Sequence, residues 1–116
     1  MNNKVSFDGI GEVAATFRAD DKVMKGQTVK LDASGKALPC ADNDRFAGVA
    51  MTAARDGCAT ILIGGCITAA VSGSGVTCGY MSLVADGKGG VKKDTGSAGG
   101  EYLVVAVENG MATFVM

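Results

Sequence analysis

The chain has no histidine, no tryptophan and a single proline, Pro39, among its 116 residues. The missing imidazole removes a Ser-His-Asp triad, a Cys-His pair and any histidine-ligated zinc site. A Lys, Asp or Glu base remains possible, but the commonest general acid–base residue is gone. Aromatic residues are only 5% of the chain. A core of Ala, Val, Ile and Gly suits closely packed strands better than a bulky helical bundle. No apolar run approaches the roughly 18 residues that would cross a membrane as a helix, so no membrane partner is expected.

An excess of either charge is also missing. Eleven basic residues are scattered among twelve acidic ones, for a net charge of −1. A nucleic-acid binder shows a basic stripe, and none is present, so no direct nucleic-acid contact is expected. The four cysteines, Cys40, Cys58, Cys66 and Cys78, form no Cys-x-x-Cys pair, which removes the zinc-ribbon and thioredoxin-type motifs. They read instead as small buried hydrophobes. The opening MNNKVSFDGIGEVAA has no apolar signal-peptide core, so reduced thiols and assembly in a cytoplasm are expected.

Glycine is abundant, at 18 residues, about twice its usual ~7% share. Spread through short apolar runs, it signals tight turns and bulges. Turn signals recur every 8–12 residues or so, and no long helical period competes with them. Candidate strands are EVAATF (Glu12–Phe17), TVKL (Thr28–Leu31), KALPC with Pro39 at its edge, FAGVAMTAA, YMSLVA and GVKK. FAGVAMTAARD could alternatively hold one turn of helix. Asp56-Gly57 and Asn109-Gly110 are strong hairpin signals. For the second, a type I′ turn would place Glu108 opposite Met111, Val107 opposite Ala112, Val105 opposite Phe114 and Leu103 opposite Met116. The run Gly57–Val71 would extend roughly 50 Å as one strand, so it must reverse in a hairpin or bend at a glycine bulge near Gly64-Gly65. The expected fold is all-β, a compact antiparallel β-barrel or β-sandwich over 12–116, preceded by a flexible N-terminal arm over 1–11.

Motifs for chemistry are tested and fail. A P-loop needs Gly-Lys-Ser/Thr five positions after a first glycine. Gly35-Lys36 is followed by Ala37, and Gly87-Lys88 by Gly89. Gly73–Gly79 has the wrong spacing for a dinucleotide fingerprint. Asp20-Asp21 and Asp42 with Asp44 fit turn duty, and no calcium-loop spacing is present. VMKGQTV resembles a turn of biotinyl and lipoyl carrier domains. Lys25 lies in the Gly-Gln turn itself, however, and no later hairpin lysine follows. A thiol enzyme would have to use Cys58 or Cys78 with a Lys or Asp base. No catalytic residue, cofactor site or metal site is therefore assigned.

The segment KGQTVKLDASGKALPCADNDRFAGVAMTAARDGCATILIGGCI resembles the capsid decoration proteins of tailed phages, also called head-stabilising or capsid cement proteins. Gly26, Val29, Leu31, Gly48, Val49, Ala50, Gly57 and Gly65 occupy the family's glycine-led strand, Gly-Val-Ala strand, glycine turn and apolar strand. VTCGYMSLVADGKGGV and the terminal VVAVENGMATFVM resemble its later elements. The resemblance covers about Lys25–Met116.

It implies a small homotrimeric virion protein on the exterior of the expanded phage head. There it would bind the major capsid protein and stabilise contacts between neighbouring capsid subunits. The arm, through Lys4, Val5, Ser6 and Phe7, would add a strand to a capsid sheet. The second reading is a small-molecule-binding or carrier-type β-barrel.

Overall fold

In the computed structural model, residues 12–96 and 99–116 are described, and they contain ten strands and no helix. The strands are β1 (Val13–Arg18), β2 (Thr28–Leu31), β3 (Ala37–Pro39), β4 (Gly48–Ala50), β5 (Cys58–Gly64), β6 (Cys66–Ala70), β7 (Gly79–Ala85), β8 (Val91–Lys93), β9 (Gly100–Glu108) and β10 (Met111–Val115). Two five-stranded antiparallel sheets form, ordered β1-β5-β4-β2-β3 and β6-β10-β9-β7-β8. The architecture is a sandwich rather than one closed barrel. FAGVAMTAA contributes a strand of three residues and no helical turn.

Each sheet is curled until its edges almost meet. In the first, Ala19 bridges Ala37, and the Asp20 amide donates to the Ala37 carbonyl at 2.9 Å. In the second, Val71 bridges Val91, and the Ser72 amide donates to the Val91 carbonyl at 2.9 Å. A single bridge is no ladder, so both sheets stay open. Pro39, which cannot donate a ladder hydrogen bond, sits at the end of edge strand β3.

The apolar run ATILIGGCITAAV neither reverses in a hairpin nor bulges within one sheet. β5 pairs with β1 and β4, whereas β6 pairs with β10. The chain therefore leaves the first sheet and enters the second across Gly65, whose φ of 93° suits glycine. Both ends of the described domain gather at this corner. Val13 opposes Gly64, and the Met116 amide donates to the Gly65 carbonyl at 2.9 Å.

Two apolar cores result. Ile61, Ala59, Ala50, Val29 and Ala37 pack with Val23 and Ala19 inside the curl of the first sheet. Leu62 and Val49, opposite each other in register, instead join the core lined by the second sheet. Phe46, Tyr102 and Phe114 meet there, with ring centroids 5.1–5.7 Å apart, a separation favourable for aromatic pairs. The centre of the first sheet is thus buried on both faces, which is why the Ile61-Leu62 run does not alternate with polar residues. Gly48 lets β4 lie close on β5, since a Cβ there would collide with the Leu62 carbonyl.

The C-terminal hairpin forms at Asn109-Gly110, with φ of 53° and 73°, both positive as a type I′ turn requires. Met111 opposes Glu108 and Ala112 opposes Val107 as expected. Beyond Thr113 the register shifts, so Phe114 faces Val104 and Val115 faces Leu103. The uniform pairing of Val105 with Phe114 and of Leu103 with Met116 is therefore corrected. One extra residue on β9 reverses its alternation, bringing Tyr102 and Val104 onto the buried side with Phe114.

Candidate interface and the chemistry around it

The four residues expected to touch a capsid, Lys4, Val5, Ser6 and Phe7, lie outside the described residues. The strand that follows them is described, and it is unusual. Among the described residues, β1 pairs with β5 alone. All its residues are exposed except Phe17, which is half-buried, and Val13 is 52% exposed. An edge strand offers unpaired backbone donors and acceptors to another chain. Here the Ala19–Ala37 bridge closes one end of that edge. Val13–Thr16, which carries no charge, stands beyond it. Among the described residues, no strand pairs with the other side of Val13–Thr16.

Possible chemical centres resolve into structural roles. Asp86 is 8% exposed and serves the turn between β7 and β8. Its carboxylate accepts the Ser72 hydroxyl and the amides of Lys88 (2.7 Å) and Gly90 (2.9 Å). Burial pushes this carboxyl's pKa up, but the Ser72 hydroxyl and the two amides outweigh it and hold it below the usual range. The same turn ties the sheets together. Thr28 donates through its amide to the Gly89 carbonyl (2.9 Å) and through its hydroxyl to the Gly90 carbonyl (3.1 Å).

Next to Asp86 lies a groove of about 630 Å³ lined by Asp42, Ser72, Lys88 and Lys92. Two of its charges are paired, with Lys92 and Asp42 2.7 Å apart. Lys30 pairs with Asp44 at 2.7 Å, and that hydrogen bond lowers the Asp44 pKa and raises the lysine's. Asp44 also accepts the Ala41 amide at 2.8 Å, confirming turn duty for this acidic stretch.

Lys25 occupies the tight turn foreseen for it. Gly26 has a φ of 82°, and the Gln27 amide closes on the Met24 carbonyl at 3.2 Å. The strand that follows begins at Thr28, as expected for TVKL.

The cysteines divide. Cys40 is buried, and burial pushes its thiol up to about 12. Cys58 and Cys78 are exposed and Cys66 is half-buried, so the reading of all four as buried hydrophobes holds fully only at Cys40. Cys58 opens β5 beside Arg18, and Cys78 precedes β7. Among the described residues, no three His, Cys, Asp or Glu side chains gather as a metal site.

These features define an all-β sandwich of two five-stranded sheets. No family model and no curated protein matches the chain. Among solved structures it is similar to the N base of head fiber gp8.5 in bacteriophage phi29. The TM-score is 0.62 at 18% identity, over 90% of this chain and 93% of that one. The likeness is one of fold, and it spans both sheets' worth of chain.

Proposed function

We propose that this chain is a structural protein of a phage head, held on the capsid exterior through its N-terminal arm and the open Val13–Thr16 edge. The observation that carries the reading is the shared fold with a head fiber base over nine-tenths of the chain. The uncharged Val13–Thr16 part of β1 supplies a means of attachment, because strand addition takes its affinity from backbone hydrogen bonds. In the finer reading the partner is the major capsid protein, and the protein cements neighbouring capsid subunits as a homotrimer after assembly in the host cytoplasm. Three linked weak contacts gain roughly 10²–10⁴ in avidity over one.

The fiber neighbour favours a second reading, in which the domain is the seat of a projecting appendage. Both readings place it on the head, and they differ in what the head gains. A cement raises the temperature at which heads release DNA, whereas a seat leaves it unchanged.

Co-sedimentation with expanded, undecorated heads tests attachment, alongside a version lacking Met1–Ile10. Saturable binding that the truncation weakens is expected. Saturable binding untouched by truncation removes the arm from the account. No binding at any salt concentration overturns the head reading, and the carrier-type barrel then takes its place.

A further inference from the structure

The tip of the C-terminal hairpin sets a side-chain amide next to an unhindered backbone nitrogen. Asn109 is followed by Gly110, and every residue of Val107–Met111 is exposed. Opening this tip breaks a few solvent-facing hydrogen bonds and uncovers no buried side chain, the circumstance in which local opening is cheapest. The bonds concerned are the one that closes the turn between Glu108 and Met111 and the one from the Val71 amide to the Gly110 carbonyl, at 2.9 Å. A turn of this kind closes through its flanking residues, so the Gly110 nitrogen takes no part in the closing bond. Gly110 also has no Cβ to shield that nitrogen.

We propose that Asn109-Gly110 is a self-modifying site, converted in the folded protein to aspartate and isoaspartate. The Gly110 nitrogen forms a bond to Cγ of Asn109, and the bond from Cγ to the side-chain nitrogen breaks. Ammonia leaves with the proton that Gly110 gives up, and a cyclic imide remains. Water then adds to one of the two imide carbonyls. Opening at Cγ gives aspartate. Opening at the backbone carbonyl gives isoaspartate, whose main chain runs through the side-chain carbons.

The other candidate pairs differ in chemistry. Asp56-Gly57 shares the positive φ values, at 54° and 76°, but the negative charge of a carboxylate repels a nucleophile. Asp86, before Gly87, is further held by Ser72 and by the amides of Lys88 and Gly90. Among the described residues, Asn43 is the other asparagine. The nitrogen that follows it belongs to Asp44, which carries a side chain, and it donates to the Ala41 carbonyl at 3.2 Å.

The product changes the fold at a definite place. Isoaspartate adds a carbon to the main chain of a turn that two positive-φ residues close. The Gly110 carbonyl then loses its place against the Val71 amide, and Val71 is the residue that bridges Val91 across the second sheet's edges. Aspartate keeps the ordinary backbone and accepts positive φ, as Asp56 does, so it leaves the turn intact.

The test is peptide mapping by mass spectrometry of the full chain aged at neutral pH, both native and in urea. Native conversion at residue 109 should run within about a hundredfold of the unfolded rate, because only the tip must open. A reaction that waited for global unfolding would fall behind by at least about a thousandfold, and such a lag overturns the proposal. So does conversion at Asn43 as fast as at Asn109. Asn109→Gly should lose the product, and an undiminished isoaspartate yield from that variant also overturns the assignment. If that variant does not fold, the wild-type map alone decides the site.

Hydrogen exchange separates the altered backbone from the added charge. Exchange at the Val71 amide should rise at least about tenfold in the isoaspartate fraction and keep its wild-type rate in fresh Asn109→Asp. Unchanged exchange in the isoaspartate fraction, or an equal rise in Asn109→Asp, overturns the structural consequence. These outcomes are independent of whether the protein binds a head.

Discussion

The amide of Met116 reaches the carbonyl of Gly65 at 2.9 Å, fixing the last strand to the residue at which the chain changes sheets. Gly65 holds a φ of 93°, where a side chain adds strain. Gly65→Ala should lower stability by about 1–2 kcal/mol, read as a lower denaturation midpoint with an unchanged slope. A change below a few tenths of a kcal/mol would show that the corner tolerates a side chain there.

At Gly48 the constraint is proximity, since an added Cβ would meet the Leu62 carbonyl. Gly48→Ala should therefore cost about 1–3 kcal/mol by overpacking. The same change at Gly96, where among the described residues an added Cβ would come nearest the Asp94 carboxylate at 3.8 Å, should cost less. Urea titration of the pair gives the comparison.

Asp86 supplies the clearest pH dependence. Burial raises its pKa, but Ser72, Lys88 and Gly90 together hold it below the ordinary carboxylate value. A depressed folded pKa contributes stability that is present above the unfolded value of about 3.9 and lost as pH falls through the folded one. Asp44, lowered by its hydrogen bond from Lys30, acts in the same direction. Stability should therefore fall on acidification below about pH 4. Asp86→Ala should lose about 2–3 kcal/mol at neutral pH and show a shallower acid dependence than wild type. An equally steep dependence would shift the effect onto other carboxylates.

Cys40 and the two exposed cysteines should separate by labelling. With its thiol pushed up to about 12 by burial, Cys40 should stay unmodified by a thiol reagent until the protein is denatured, because the thiolate is the reactive species. Cys58 and Cys78 should be labelled in the native protein. Mass spectrometry of labelled peptides tells the sites apart. Native labelling of Cys40 would mean that the core around Phe46 opens readily.

What could be read from the sequence was mostly local. Asn109-Gly110 and Asp56-Gly57 fix their turns through residues that tolerate positive φ, with Asp56 at 54° and Gly57 at 76°, so their positions were legible from two letters each. The register beyond Thr113 was not. It depends on which side of β9 Phe114 needs, and that is decided by Phe46, in the segment before β4. The fate of Gly64-Gly65 was hidden for the same reason, since a corner between sheets and a bulge within one ask for the same glycine. Cys58 and Cys78 were misjudged because burial preference is an average over folds, and Cys58 opens β5 while Cys78 precedes β7.

The strand that serves both sheets has a consequence for how the protein comes apart. From Cys58 to Ala70, one continuous piece of chain donates its first half to one sheet and its second half to the other. An intermediate keeping a single sheet would have to hold half of that piece in order while the rest frayed from its only partners. Thermal melting should therefore be one cooperative event, with no half-folded species for proteases to find.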